Sequence, residues 1–222
     1  MTKTYTNIYS SLTSFENLYL AYLNASRGKR GVPEAALFDY NVEEKLFRLQ
    51  DELQSKTYCP GRYDSFYIRD PKRRLVSAAP FRDRVIHHAL CQIIEPAFER
   101  TFIGDSYANR VGKGTHAALD RAQGFMQQYS YALQCDVKQF FPSVDHQILR
   151  KIFLRKIADP DVIHLIDRIL EGGNGILADE YEMTYFPDDD LLATARPRGL
   201  PIGNLTSQFW ANSSRRASAK VR

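Results

Sequence analysis

The stretch Leu133-Gln134-Cys135-Asp136-Val137-Lys138-Gln139-Phe140-Phe141-Pro142-Ser143-Val144-Asp145-His146 constrains this chain more than any other. Leading into it, Tyr131-Ala132-Leu133-Gln134-Cys135 alternates aromatic or aliphatic residues with small or polar ones, which predicts a short buried strand. Asp136 ends that run where the strand should leave the core. Two aromatics and a proline follow, and Asp145 then offers an N-cap for a helix beginning near Gln147. A carboxylate at a strand end can ligate Mg²⁺, and the Val137 carbonyl can join it. It can equally cap a turn. Phe141 likewise suits a core aromatic as well as a binding-site ring. The rest of the chain has to decide.

Composition narrows the field without choosing. At 222 residues the chain can bury a sizeable core in one large or two small domains. Its net charge of +4 permits a nucleic-acid partner and does not require one. The charge is clustered, however. Between Arg62 and Arg84 stand seven Lys or Arg against three Asp. Cys59, Cys91 and Cys135 are odd in number and lack CxxC spacing, which favours reduced thiols over disulfides or zinc. No apolar run reaches membrane-spanning length, and the first residues carry no signal-peptide core, so a soluble, cytoplasmic protein with no membrane partner is expected.

Taken in order, Ser14 caps a helix to about Ala25 that Gly28 stops. Ser26 to Gly31 is a basic, glycine-broken loop, either a solvated turn or a phosphate contact. A surface helix is expected from Pro33 to Ser55. Tyr63 to Arg69 and Arg74 to Pro80 read as a hairpin with Lys72, Arg73 and Arg74 near its tip. Such cations either guard an edge strand or grip a triphosphate. Phe81 to Arg100 is a strongly patterned helix. Its adjacent His87 and His88 point about 100° apart and cannot chelate together, so they serve packing or a polar face. Gly112 and Gly114 bracket Lys113 ahead of a helix from Thr115 to about Gln128, where Arg110 and Lys113 could meet phosphate. Helices then run from Asp145 to Ile157 and from Asp159-Pro160 to about Leu170. Finally, Arg198-Gly199-Leu200-Pro201-Ile202-Gly203-Asn204-Leu205-Thr206-Ser207-Gln208 brings a glycine loop to the start of a helix near Asn204.

These blocks together resemble reverse transcriptases. Asp136 with Phe141 resembles motif A of the palm. Pro71-Lys72-Arg73-Arg74 resembles the "PKxR" of the fingers hairpin, and Ser106 to Ala118 the family's second motif. Gly199 to Gln208 resembles motif B, "GLPIGxxxSQ", in a form similar to retron and diversity-generating-retroelement enzymes. The resemblance implies an α+β fold, with right-hand polymerase fingers and an incomplete palm. It divides the chain into residues 1–60 (helical fingers), 61–130 (hairpin and following helices), 131–212 (partial palm) and 213–222 (a basic tail outside the family pattern). It implies RNA-directed DNA polymerase chemistry with two Mg²⁺ ions on an RNA template, a DNA or RNA primer and deoxynucleoside triphosphates. Asp136 would be catalytic and a metal ligand with Val137. Lys72 and Arg74 would hold the triphosphate, Phe141 would exclude a 2′-hydroxyl, and Gly203 and Gln208 would contact the nucleotide. Arg110 and Lys113 would touch the template or phosphate.

The pattern breaks after Asn212, where no aromatic-x-Asp-Asp appears. Phe186-Pro187-Asp188-Asp189 fits those letters but precedes motif B, and reads as an acidic turn. One Asp and one carbonyl make a poor Mg²⁺ site. The chain alone is therefore expected to be inactive, with apolar surface on the Leu133 strand and the motif B helix left exposed. A complementary palm and thumb fragment would be the corresponding partner. A non-catalytic RNA-binding remnant and a fragment of a group II intron-type maturase are the alternatives.

Overall fold

The computed structural model describes residues 4–29, 31–69, 71–110, 112–183 and 191–218. Its elements follow in chain order: α1 (Tyr9–Leu12), α2 (Phe15–Ser26), α3 (Pro33–Asp39), α4 (Val42–Gln54), β1 (Asp64–Arg69), β2 (Arg73–Ala78), α5 (Phe81–Glu99), α6 (Thr115–Gln128), α7 (Phe140–Ser143), α8 (His146–Leu154), α9 (Pro160–Gly172) and α10 (Leu205–Ser218). The fold is α+β, mostly helical, with one antiparallel pair of strands among the described residues.

Three helix starts follow from local chemistry. The Ser14 hydroxyl accepts from the Asn17 amide, Asp145 from Gln147 and Ile148, and Asp159 from Asp161 and Val162. Each satisfies amides that a helix start leaves without partners. The helix expected over Pro33 to Ser55 is instead two, because Asn41 takes a left-handed backbone at φ 61°. Asn tolerates that conformation better than most residues, and the break lets α3 turn Phe38 onto Tyr22 and Phe81.

The core gathers around α5, which buries Val85, Ile86, Ala89, Leu90 and Ile94. On one side α2 presents Leu18, Ala21, Tyr22 and Ala25. On the other, Phe98 meets Phe153 of α8 and Phe209 of α10 edge-on, at 5.4 and 5.5 Å, and Trp210 closes the cluster 5.8 Å from Phe153. One hydrophobic cluster thus runs from Leu12 to Trp210 and joins the first three segments read from sequence. The apolar face of α10 is buried, contrary to expectation, because α5 and α8 supply its partners within this chain. The helix also continues through residue 218.

The N-terminal segment is fastened from a distance. Asp159 Oδ2 accepts from the Ile8 and Tyr9 amides at 2.7 and 3.0 Å while Oδ1 caps α9. Tyr9 then donates its hydroxyl to the Leu53 carbonyl. Burial, together with the charges of Asp161 and Asp159, pushes the Tyr9 phenol up to about 12.

The strand expected at Tyr131 to Cys135 is not formed. The segment takes no regular secondary structure and is exposed, with Tyr131 at 95% and Leu133 at 89% of their full accessibility. A strand needs a neighbouring backbone to receive its amides and carbonyls, and among the described residues only β1 and β2 pair in a sheet. The preceding α6 likewise buries none of its residues. None of the described helices is long and apolar enough to cross a membrane.

Candidate functional site

Three segments widely spaced in sequence converge, and backbone hydrogen bonds join them. The Ser77 amide at the end of β2 donates to the Ile202 carbonyl at 2.7 Å. The Leu200 amide donates to the Phe141 carbonyl at 2.9 Å, and the Gly199 amide to Val144 at 3.0 Å. The Asp145 and Arg198 backbones pair as an antiparallel bridge. The hairpin base, the turn after Asp136 and the glycine loop before α10 therefore form one continuous wall.

Asn204 locks this wall. Its side chain is 2% exposed, accepts from the Ala79 amide at 3.1 Å and donates to the Ser77 and Pro201 carbonyls at 2.8 and 3.1 Å. Sequence reasoning placed Asn204 only as the start of a helix. The available signal was a polar residue between a glycine loop and an apolar helix. Gly203 lies beside it at φ 112°, and a Cβ there would come within 2.9 Å of Val76 Cγ1. Both the conformation and the close approach call for glycine. Asn204→Ala strands one amide and two carbonyls, and should lower stability by about 2 kcal/mol. It should also release the hairpin, which amide exchange at Ser77 and Ala79 would register.

Around this wall the expected site residues divide into groups. Lys72 and Arg74 are exposed on the hairpin and carry no ion pair among the described residues. Arg73, between them, stacks its guanidinium 3.8 Å from the Tyr67 ring centroid instead. Gly203 and Gln208 are exposed while Phe209 and Trp210 next to them are buried, so α10 directs Gln208 away from the core. Phe141 is half-buried and meets Phe140 edge-on at 5.7 Å. It contributes to the core margin and still shows a face to solvent.

Arg110 is held by partners within the chain. Its side chain is 8% exposed and bonds Glu99 together with the carbonyls of Ile103 and Ser106. Those bonds organise the loop after α5. Lys113 is exposed but donates to the Gly104 carbonyl at 2.7 Å and lies over Tyr107.

Asp136 and Val137 stand on the exposed segment. No group of three or more His, Cys, Asp or Glu among the described residues could hold a metal ion. One carboxylate and one carbonyl do not fit a pair of Mg²⁺ ions, each of which requires near-octahedral ligation. Asp188 and Asp189 lie outside the described residues. His87 serves packing as expected: it is 1% exposed, and burial, with His88 and Arg84 nearby, lowers its pKa to about 3.

No protein-family model matches this sequence. The chain is 26% identical over 214 residues to the group II intron-encoded protein LtrA of Lactococcus lactis subsp. cremoris, covering 94% of this chain and 34% of that protein. It is 26% identical over 186 residues to the mitochondrial nuclear intron maturase 2 of Arabidopsis thaliana, covering 76% of this chain and 25% of the relative. It is also 26% identical over 171 residues to protein YkfC of Escherichia coli, covering 74% and 42%. The chain therefore spans about a third of the length of LtrA. Among solved structures, a chain of a partial Cas6-RT-Cas1–Cas2 complex aligns with a TM-score of 0.53 at 16% identity, over 93% of this chain and 33% of that one. That likeness shows the fold. Together these findings support a reverse transcriptase family. They do not favour the retron or diversity-generating-retroelement branch that the motif B wording suggested.

Proposed function

We propose that this chain is the nucleotide- and template-gripping part of an RNA-directed DNA polymerase of the group II intron-encoded kind. The observation that carries this reading is that the hairpin base and the turn after Asp136 are both bonded to the glycine loop before α10, the hairpin base through Asn204 as well. In this reading Lys72 and Arg74 approach the triphosphate as cations on one hairpin. Gly203 lets the backbone approach the nucleotide, and Gln208 reaches toward it from α10. Phe141 shows the exposed part of its ring to the sugar. Asp136 contributes one carboxylate, and the remaining metal ligands come from outside the described residues. The template is RNA, the primer is DNA or RNA, and the setting is the cytoplasm. The intron-encoded relatives favour this kind over a retron-type enzyme.

The reading is tested by binding and by extension. An RNA template annealed to a DNA primer should bind the 222-residue protein in a strongly salt-dependent manner, because basic residues displace counterions from phosphates. Lys72→Glu with Arg74→Glu should weaken that binding about tenfold at low salt. This polypeptide alone should not extend the primer, since Asp136 is the one carboxylate that the described residues bring to this site, and one cannot assemble the two-ion centre. Binding indifferent to salt and to both substitutions would overturn the proposal. Extension that depends on Asp136 would overturn the ligand count.

A further inference from the structure

Three segments far apart in sequence also meet at Glu180. The Tyr67 hydroxyl on β1 donates to Glu180 Oε1 at 2.8 Å, and the Arg73 guanidinium stacks on the same tyrosine ring. From the other side, Gln139 Nε2 donates to the Glu180 backbone carbonyl at 3.3 Å. Gln139 lies three residues after Asp136 and has a left-handed backbone at φ 52°. For a non-glycine residue that conformation is costly and persists where its surroundings compensate. Glu180 itself closes the 3₁₀ turn Ala178–Glu180.

The hairpin needs such a tie. All six residues of β1 are exposed, so its strand gains little from packing. Beside it opens a cleft of about 630 Å³ lined by Arg62, Asp64, Ser65, Leu75, Gly172 and Ile176. The base is fixed through Ser77 and Asn204. Toward the tip, Tyr67–Glu180 is the hydrogen bond that ties the hairpin to the body among the described residues. Arg73 lies over the Tyr67 ring, with Lys72 and Arg74 exposed on either side of it.

We infer that Glu180 is a positioning residue, which fixes the tip of the hairpin against the turn at 137–139 and so sets the span between Lys72, Arg74 and Asp136. This rests on reading those residues as a nucleotide site. Tyr67→Phe and Glu180→Ala both delete the bond, while Glu180→Gln keeps an oxygen that accepts from Tyr67. The Glu180 carbonyl bonded by Gln139 is present in every variant. Any effect at the turn therefore travels through the tie and does not arise from a deleted contact.

The span can be measured directly in the 222-residue protein. Cys135 is exposed and Cys91 buried, so nitroxides at Cys135 and at Lys72→Cys, in a Cys59→Ser background, report one distance by electron–electron resonance. A single narrow distribution is expected, broadened by Tyr67→Phe and by Glu180→Ala and restored by Glu180→Gln. Without the nitroxides, the first two substitutions should speed amide exchange at Ile68 and Arg74 about fivefold, the effect of one modest hydrogen bond. An unchanged distribution, or broadening by Glu180→Gln equal to that of Glu180→Ala, would overturn the inference. A parallel titration of unlabelled wild-type protein with Mg²⁺–deoxyadenosine triphosphate separates the two claims. Absent binding beside a responsive distance removes the nucleotide reading and leaves the positioning role standing.

Discussion

Asp159→Ala should lower the stability of this protein by about 3 kcal/mol, more than any other single polar substitution considered. One carboxylate, 5% exposed, accepts four amide hydrogens. Two belong to the first turn of α9, where losing an N-cap costs about 1 kcal/mol. The other two belong to Ile8 and Tyr9, whose amides lose their partner at the edge of the core, at about 1 kcal/mol each. For a chain of this length the total corresponds to a fall in melting temperature of roughly 6–12 °C. Asp159→Asn keeps one carbonyl oxygen, can serve only one of the two pairs, and should show about half the loss. Equal losses for Ala and Asn would show that the two functions are not separate.

Acid should weaken the fold through His87. Its pKa is held near 3 in the folded state against an ordinary value of about 6.5, chiefly because burial disfavours the charged ring. A base with a depressed folded pKa contributes stability that is present above pH 6.5 and is lost as pH falls toward 3. At pH 4.5 the loss should be about 2–3 kcal/mol. His88, lowered to about 4 by burial and the Lys29 ammonium, acts in the same direction. Asp83 opposes them. Burial raises its carboxyl, so its contribution is present at low pH and lost as pH rises through the raised value. Denaturant midpoints at pH 7.5 and pH 4.5 should therefore converge in His87→Leu relative to wild type. An unchanged difference between the two pH values would assign acid sensitivity to other groups.

Features set by neighbouring residues were legible in the sequence, and those set by distant partners were not. The caps Ser14, Asp145 and Asp159 act within three residues, so their local sequence identifies them. The hairpin was visible because strand alternation and turn chemistry lie within eighteen residues, and β1 and β2 pair there as antiparallel strands. The division of the expected second helix was not visible, since apolar spacing continues across Asn41 and only its backbone conformation breaks the run. Tyr131 to Cys135 failed for the opposite reason. Its alternation is real, yet pairing needs a second strand, and the described residues supply none.

The site shows the same division. Lys72, Arg74, Gly203 and Gln208 lie on exposed surface. Arg110 carries the same charge as those cations but is spent on Glu99, a partner eleven residues away that the motif alone did not indicate. Asn204 bonds Ser77 and Ala79 across more than 120 residues, so its importance appears only once the chain is folded.

The most direct measurement of the central claim is equilibrium binding of Mg²⁺–deoxyadenosine triphosphate to the 222-residue protein, followed by calorimetry beside its ribonucleotide counterpart. The account predicts measurable, salt-sensitive binding that falls at least about tenfold when Lys72 and Arg74 are both replaced by alanine, as expected from losing two charge-assisted contacts. It also predicts that Phe141→Ala narrows the preference for the deoxynucleotide. Binding of equal strength in the wild type and the Lys72, Arg74 double variant would contradict it.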